Sequence, residues 1–392
     1  MKHIQQDPTD PAFVQDPYPF YERARSLGDI VFWDDYDMPV ALGLGAVNAI
    51  FKARTMGREP PKRPPAQAHL ADFDRVEAYS LLELEPPDHT RLRRLVQHAF
   101  STRRIAAMSL DISVLTYTMI DRLPWAEDFD LIDCFAGPLP VLVITRLMGL
   151  PDEDAPQLQA WSNAMVAMYQ ARRDRAVEDA ASAAAAAFED YLRHAIAAKR
   201  SDLGEDLISD LIRVREKDDS LSDGEMISTC VLLLNAGHEA TVHTIANGVK
   251  TLLERKTPVA ALEPTSIEGT VEEILRFDPP LHKFTRYVYE DTTVSGVELV
   301  AGSEVGCLLA AANRDPAVWP GARLFDPTRK VTKNASFGAG IHFCLGAALA
   351  RLEMQIALPA LFSRCPNLKL TGAPEYADTY HFHGLKRLMV TR

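Results

Sequence analysis

Residues 336–354 read "SFGAGIHFCLGAALARLEM", and the fold turns on how this stretch is read. It contains G-x-G, which invites a dinucleotide-binding turn. The third glycine of such a turn is missing, because Phe343 stands there, and the preceding "KVTKNAS" is a poor strand. What is left is F-x-x-G-x-x-x-C-x-G, filled by Phe337, Gly340, Cys344 and Gly346. Glycines let a chain turn tightly and approach a flat ligand closely. Cys344 stands just ahead of an alanine-rich helix. A thiolate there is stabilised by the helix N-terminus and its unpaired N–H groups, and the same donors tune a thiolate bound to iron.

Working outward, the chain has 392 residues and a formal net charge of −12. That acidic surplus argues against nucleic acid as a partner and for solubility. The N-terminus "MKHIQQDPTDPAF" has no apolar core of a secretory signal. The best apolar run, "VLLLNAG", is far too short for a membrane span, so a cytoplasmic protein is expected. Cys134, Cys230, Cys307, Cys344 and Cys365 are scattered with no C-x-x-C pair, which fits a reducing compartment rather than disulfides or zinc.

"PFYERARSLG" reads as a short helix, and "DIVFWDD" with "MPVALG" as a two-stranded hairpin. "EPPKRPP", Glu59 to Pro65, cannot be regular structure and opens a long connection to about Pro87. Helices dominate from Asp88. "DHTRLRRLVQHAFS" is amphipathic, with Leu92, Leu95, Val96 and Ala99 on one stripe, and "LPVLVITRLMGLP" is closed by Gly149 and Pro151. The alanine-rich "AVEDAASAAAAAFEDYLRHAIAAKR" reads as a long solvent-edge helix. Ser222 and Glu225 form a capping-box pair ahead of a long central helix. After Thr285, "FTRYVYED", "TTVSGVELV" and "SEVGCLLAA" are strand-like. The expected fold class is mainly α with small antiparallel β-sheets, one domain over residues 1–392.

Together these features resemble the cytochrome P450 superfamily, in the form of a soluble bacterial member, from "DPYPFYERAR" to "GLKRLMV". The resemblance implies heme b held between the central helix and the cysteine loop. It also implies electrons from a ferredoxin and its NAD(P)H-dependent reductase, no membrane, no fused reductase domain and a monomer. Cys344 becomes the iron ligand, with Phe337, Gly338, Gly340 and Gly346 shaping its loop. Glu273 and Arg276 of "EEILRF" share a helix face, and with Arg329 they match a buried network behind that loop. His89 and Arg93, one helical turn apart, match positions that meet the heme propionates, as do Arg286 and His342. Four such donors suit two carboxylates. Arg91 and Arg94 are expected on a solvated helix face. With Arg103 and Arg104 they form a basic cluster suited to an acidic ferredoxin.

The central helix carries "NAGHEATVHT", residues 235–244. The family pattern is A/G-G-x-D/E-T-T, and here Ala236, Gly237, His238, Glu239, Ala240 and Thr241 stand in it. Small residues such as Ala236 and Gly237 let a helix come close to the heme and permit a kink. Ala240 replaces the threonine that the family uses on the oxygen side. Thr241 is rotated from it by about 100° and cannot take its place, and Thr244 lies one turn beyond. Three routes are open. Glu239 and Thr241 relay protons through water, a substrate hydroxyl or carbonyl fills the gap over Ala240, or the enzyme is peroxide-driven or not a monooxygenase. The first two together are favoured. His238 is expected to pack on the far side. Leu233, Ala236, Ala240, Phe284, Thr285 and Phe382 are expected to line a substrate pocket under a lid from residues 59–84. His381 and His383 either reach that pocket or are ordinary turn residues. The expected function is a heme-thiolate monooxygenase acting on a small, largely apolar molecule. The competing readings are a heme-thiolate binding protein without turnover and a heme-free cysteine hydrolase.

Overall fold

The computed structural model describes the chain apart from residues 63–64, 98–99, 125–126, 170–172, 219–220 and 332. Ala99, expected on an apolar stripe, lies outside the described residues.

The longest element is the central helix, Asp223–Glu254, of 32 residues. Its start follows from the capping box: the Glu225 N–H donates to Ser222 Oγ at 3.2 Å, and the Ser222 N–H to Glu225 Oε2 at 2.8 Å. Most of its side chains are buried, because helices Pro138–Met148, Ala155–Val166 and Arg175–Lys199 pack against it, as do Ile267–Phe277 and Ala347–Arg364. It is helical without interruption through Ala236 and Gly237. A Cβ on Gly237 would lie 3.1 Å from Ile144 Cγ1. The glycine placed against the cofactor from sequence therefore also admits the helix Pro138–Met148.

Two helices differ from expectation. Arg175–Lys199 is not confined to the solvent edge: Ala181, Ala184, Ala185, Phe188, Leu192 and Ile196 form a buried stripe. Small alanines let it pack closely on Ala155–Val166. The connection opened by Glu59 is irregular only at first. It then forms a short 3-10 turn, Ala68–Leu70, and a helix, Ala71–Glu77, with Leu70, Phe73 and Val76 buried at helical spacing. Prolines cluster before this segment, not in it.

The main sheet has six strands in the order His3–Ile4, Ile30–Trp33, Met38–Ala41, Glu304–Leu308, Lys283–Val288, Met56–Gly57. The expected hairpin is present, with Ile30 opposite Ala41 and Trp33 opposite Met38. The sheet is antiparallel except at two parallel pairings, His3–Ile4 with Ile30–Trp33 and Met38–Ala41 with Glu304–Leu308. Phe284 pairs with Cys307 and Arg286 with Val305, two residues apart on each strand, which sets the Phe284 and Arg286 side chains on the same face. Among the described residues no helix is long and apolar enough to cross a membrane.

Arg91 also donates to Glu225. Burial acts to raise the Glu225 carboxyl, but Arg91 and Ser222 outweigh it and hold it below the usual range. Its stabilisation is therefore complete at neutral pH and fades as pH falls through the carboxylate range. Ser222→Ala should cost about 1 kcal/mol. Glu225→Gln should lower the thermal midpoint at pH 7 and lose most of that deficit in acid, which a thermal-melt series over pH reads directly.

Candidate active site

The site is built from the inside out. On helix Ile267–Phe277, Glu273 and Arg276 are fully buried. Arg276 Nε and Nη2 donate to the two Glu273 oxygens at 2.6 and 2.7 Å. Its other N–H groups reach the carbonyls of Asn313, Ala322 and Leu324 at 2.9–3.1 Å. Glu273 Oε1 also accepts from the Asp326 N–H at 2.9 Å and from Arg329 Nε at 3.3 Å. The expected Glu273–Arg276–Arg329 network is thus formed. It ties down the chain that leads to the cysteine. Asn313 Nδ2 donates to Ser336 Oγ, which donates to the Leu275 carbonyl, and the Ala335 N–H donates to Asn313 Oδ1. Glu272, next to Glu273, accepts from Arg351 and from Asn334.

Held at that end, residues 337–346 fold into a compact loop. The Cys344 N–H donates to the Phe337 carbonyl at 2.9 Å. Gly340 has φ +73°, and a Cβ there would lie 2.2 Å from the Phe51 carbonyl oxygen, so the loop packs against helix Leu44–Lys52 only with glycine. Arg351 lies over the Phe337 ring at 4.4 Å. Cys344 is solvent-accessible, although protein surrounds it closely. Burial pushes its thiol up, and the N–H groups of Gly346 and Ala347 with the Arg93 and Arg351 charges pull the other way. Those N–H groups belong to the first residues of helix Ala347–Arg364 and its cap. The sulfur faces donors that favour a thiolate once a cation is bound to it.

Beside the loop stands a group of cationic and polar donors. His89 is buried and neither ring nitrogen has a hydrogen-bond partner among the described residues. Its ring lies 4.4 Å from that of His342. Burial, then His342 and Arg93, push His89 down to about 4. Arg286 is buried, rests over the Phe51 ring at 4.7 Å, and among the described residues donates only to the neighbouring Thr285 carbonyl, at 2.9 Å. Burial first, and Arg58 next, lower it to about 10. Arg93 donates to the Phe343 carbonyl at 2.5 Å. His342 Nε2 meets Glu85 Oε1 at 3.0 Å, so this acid already occupies one donor of the set. A buried His with both nitrogens unsatisfied is costly unless something supplies an acceptor.

The central helix has one open stripe. Ala236 is exposed in the middle of a buried helix, and Gly237, Glu239, Ala240 and His243 are partly accessible. Burial acts to raise the Glu239 carboxyl, but His243 and His238 outweigh it and bring it below its usual range. His243, which went unread in the sequence, puts Nε2 3.3 Å from Glu239 Oε1. The i,i+4 spacing was the available signal. Thr241 does not join this face. It is buried and its hydroxyl donates to the Gly237 carbonyl at 3.4 Å, because one residue of helix rotation carries it off the stripe. Thr244 donates to the Ala240 carbonyl at 2.7 Å. His238 turns away as expected, with Nδ1 on the Leu234 carbonyl at 2.8 Å and Nε2 near Asn163.

Of the pocket candidates, Phe284, Thr285 and Phe382 are half-buried and Leu233 is buried. Phe284 lies 5.8 Å from His381, which lies 5.0 Å from Phe382, and Arg58 covers the Phe284 ring at 5.2 Å. His383 does not reach the pocket. It is buried and stacked on Tyr376 at 3.6 Å. With Asp278 and His282 it brings three ligand-type atoms within 4.8 Å of one another. Burial acts to raise Asp278, but Lys250, His383 and Arg314 hold it at about 2. Two full cations around one carboxylate suit a core polar network and disfavour a divalent ion. The basic cluster is also partly spent: Arg91 is bound to Glu225 and Arg104 to Asp210, while Arg94 and Arg103 are exposed.

Known proteins match this arrangement. The profile described as Cytochrome P450 matches residues 266–374. Cytochrome P450 107B1 of Saccharopolyspora erythraea is 40% identical over 336 residues, 83% of this chain and 81% of that protein. The chain belongs to the cytochrome P450 family. Cytochrome P450 monooxygenase PikC of Streptomyces venezuelae is 36% identical over 96% of this chain and 91% of its own length. The crystal structure of P450BioI in complex with acyl carrier protein ligated to hexadec-9Z-enoic acid superposes with TM-score 0.91. It is 32% identical, covering 97% of this chain and 99% of that one. This P450 is accordingly a monooxygenase that binds heme b, and the residues present fit the group. A cysteine sulfur faces backbone N–H donors, and buried His89 and Arg286 offer donors to carboxylates.

Breaking the inner network should undo the site from behind. Arg276→Ala takes both guanidinium donors from the Glu273 carboxylate and leaves the Asn313 and Ala322 carbonyls unpaired, at a cost of about 3–5 kcal/mol. The purified variant should melt lower and carry less heme per chain than the wild type, measured by calorimetry and by heme extraction.

Proposed function

We propose that this P450 is a cytoplasmic, ferredoxin-dependent monooxygenase of a small, largely apolar organic molecule. In this reading Cys344 is the iron ligand and Glu239 the proton-delivering side chain. The observation that carries it is the Cys344 sulfur at the head of helix Ala347–Arg364, faced by the Gly346 and Ala347 N–H groups. Heme held there supplies dioxygen activation and the transfer of one oxygen atom to substrate, consuming two electrons and two protons overall.

The chain's own residues divide the remaining work. His89, Arg93, Arg286 and His342 are the donors for the heme carboxylates. Ala236 and Ala240 leave the helix surface low where oxygen and substrate must both fit. Glu239 is partly accessible, ionised at neutral pH, and on the same open stripe. It can hold a proton at its Oε atoms and pass it on through water. Ala240 offers no hydroxyl, and those of Thr241 and Thr244 are bonded to backbone carbonyls. A substrate hydroxyl or carbonyl over Ala240 completes the hydrogen bonding on that side. Phe284 and Phe382 line an apolar wall, and helix Ala71–Glu77 forms part of its lid. Because the P450BioI structure carries a fatty acyl chain, hexadec-9Z-enoic acid is the first probe for substrate-induced spin-state change. The electron donor is an acidic ferredoxin, with exposed Arg94 and Arg103 in the docking face.

Glu239→Gln keeps the size of the side chain and removes its ionisable proton. With a ferredoxin and reductase, NADH-driven oxygen uptake should fall about 10²-fold, the lower range for loss of a general acid or base. Uptake equal to wild type in that variant would mean that Glu239 does not deliver protons.

A further inference from the structure

His243 occupies the central-helix stripe of Ala236 and Ala240, at spacings of seven and three residues. Its Nε2 is 3.3 Å from Glu239 Oε1. A carboxylate only accepts, so the imidazole is the donor in this bond. The opposite nitrogen, Nδ1, is buried and has no partner among the described residues. A Cβ on Gly384 would lie 2.1 Å from that Nδ1 and 2.2 Å from Cε1. The ring is therefore seated in a space that exists because residue 384 is glycine.

Other candidates for holding Glu239 are committed elsewhere. His238 Nε2 is 3.7 Å from Glu239 Oε2, beyond hydrogen-bond reach, and its Nδ1 is bonded to the Leu234 carbonyl. The Thr241 and Thr244 hydroxyls donate to backbone carbonyls of their own helix. Among the described residues His243 alone hydrogen-bonds the Glu239 side chain. Burial would otherwise push this carboxyl up, and the His243 contact is the largest influence against that.

We propose that His243, seated against Gly384, is a positioning residue that holds the Glu239 carboxylate toward the open face of the central helix. The proposal rests on the reading of Glu239 as the proton-delivering group. It assigns to Gly384, far away in sequence, the job of admitting the ring. Without this donor the carboxylate is free to rotate toward solvent or to take up a proton and stay neutral. In a helix whose usual threonine is Ala240, Glu239 has no neighbouring hydroxyl to fix it, and the imidazole takes over that task.

The test uses the holoenzyme, reduced and saturated with carbon monoxide, and reads the infrared C–O stretch, which senses the local electrostatic field. Glu239→Gln, His243→Leu, His243→Gln and Gly384→Ala are compared with wild type. All are first checked for the thiolate-type Soret band and for thermal midpoint. His243→Leu removes the donor, and Gly384→Ala displaces the ring without touching its chemistry. Both should shift the stretch in the direction given by Glu239→Gln. Both should also lower NADH-driven oxygen uptake about tenfold, the scale of one hydrogen bond to a charged group. His243→Gln, whose amide N–H can reach the carboxylate, should recover most of both effects. A stretch that moves in Glu239→Gln but stays put in His243→Leu and Gly384→Ala overturns the proposal while leaving Glu239 its role. A stretch unmoved in Glu239→Gln removes the reading of Glu239 itself, and this proposal with it.

Discussion

Glu273 and Arg276 meet out of reach of water, and the rest of the site hangs from that contact. A buried ion pair adds little net stability, since desolvating both charges cancels most of their attraction. What it supplies is geometry. The guanidinium is a rigid fork with a fixed set of N–H directions, and here each direction ends on a carboxylate oxygen or a backbone carbonyl between residues 313 and 324. A stretch of chain without helix or strand is thereby held as firmly as a regular element. Asn313 and Ser336 carry that order to the cysteine loop, and Glu272 carries it to the helix behind Cys344.

The opposite wall obeys a different constraint. A helix of 32 residues packed on several sides should be apolar throughout, yet it leaves Ala236 exposed and keeps Glu239 and His243 partly accessible at mid-length. Small side chains keep the surface low, and the acid gives it a charge. An acid in such surroundings is retained only if something stabilises its ionised form. The imidazole one turn along does so. The two walls therefore combine rigid placement of a sulfur on one side with a polar contact in an otherwise apolar surface on the other.

Much of this was legible in the sequence where one residue type has one physical use. The spacing of Phe337, Gly340, Cys344 and Gly346 marked the loop, and Ser222 and Glu225 marked the start of the central helix, whereas the Glu273–Arg276–Arg329 network was legible only through the family resemblance. What escaped the sequence depends on partners distant along the chain. The helix Ala71–Glu77 was hidden behind a run of prolines, although Leu70, Phe73 and Val76 carry its spacing. The alanine-rich helix hid its buried stripe because alanine looks alike in water and in a tight interface. His383 drew attention as a pocket residue, but Asp278 and Tyr376 meet it from two other segments, and Lys250 pairs with that same Asp278. Thr241 was assigned a relay role that its own rotation along the helix denies it. His243 was overlooked because the space it fills is made by Gly384.

The central claim is that Cys344 bonds the iron of a heme clamped between these two walls. Its most direct test is the absorption spectrum of the reduced protein with carbon monoxide, taken for wild type and for Cys344→Ser. Thiolate ligation moves the Soret band of the carbonyl complex to long wavelength. The account predicts that band in the wild type and its loss in Cys344→Ser. A wild type without the band, or a serine variant that keeps it, would contradict the claim.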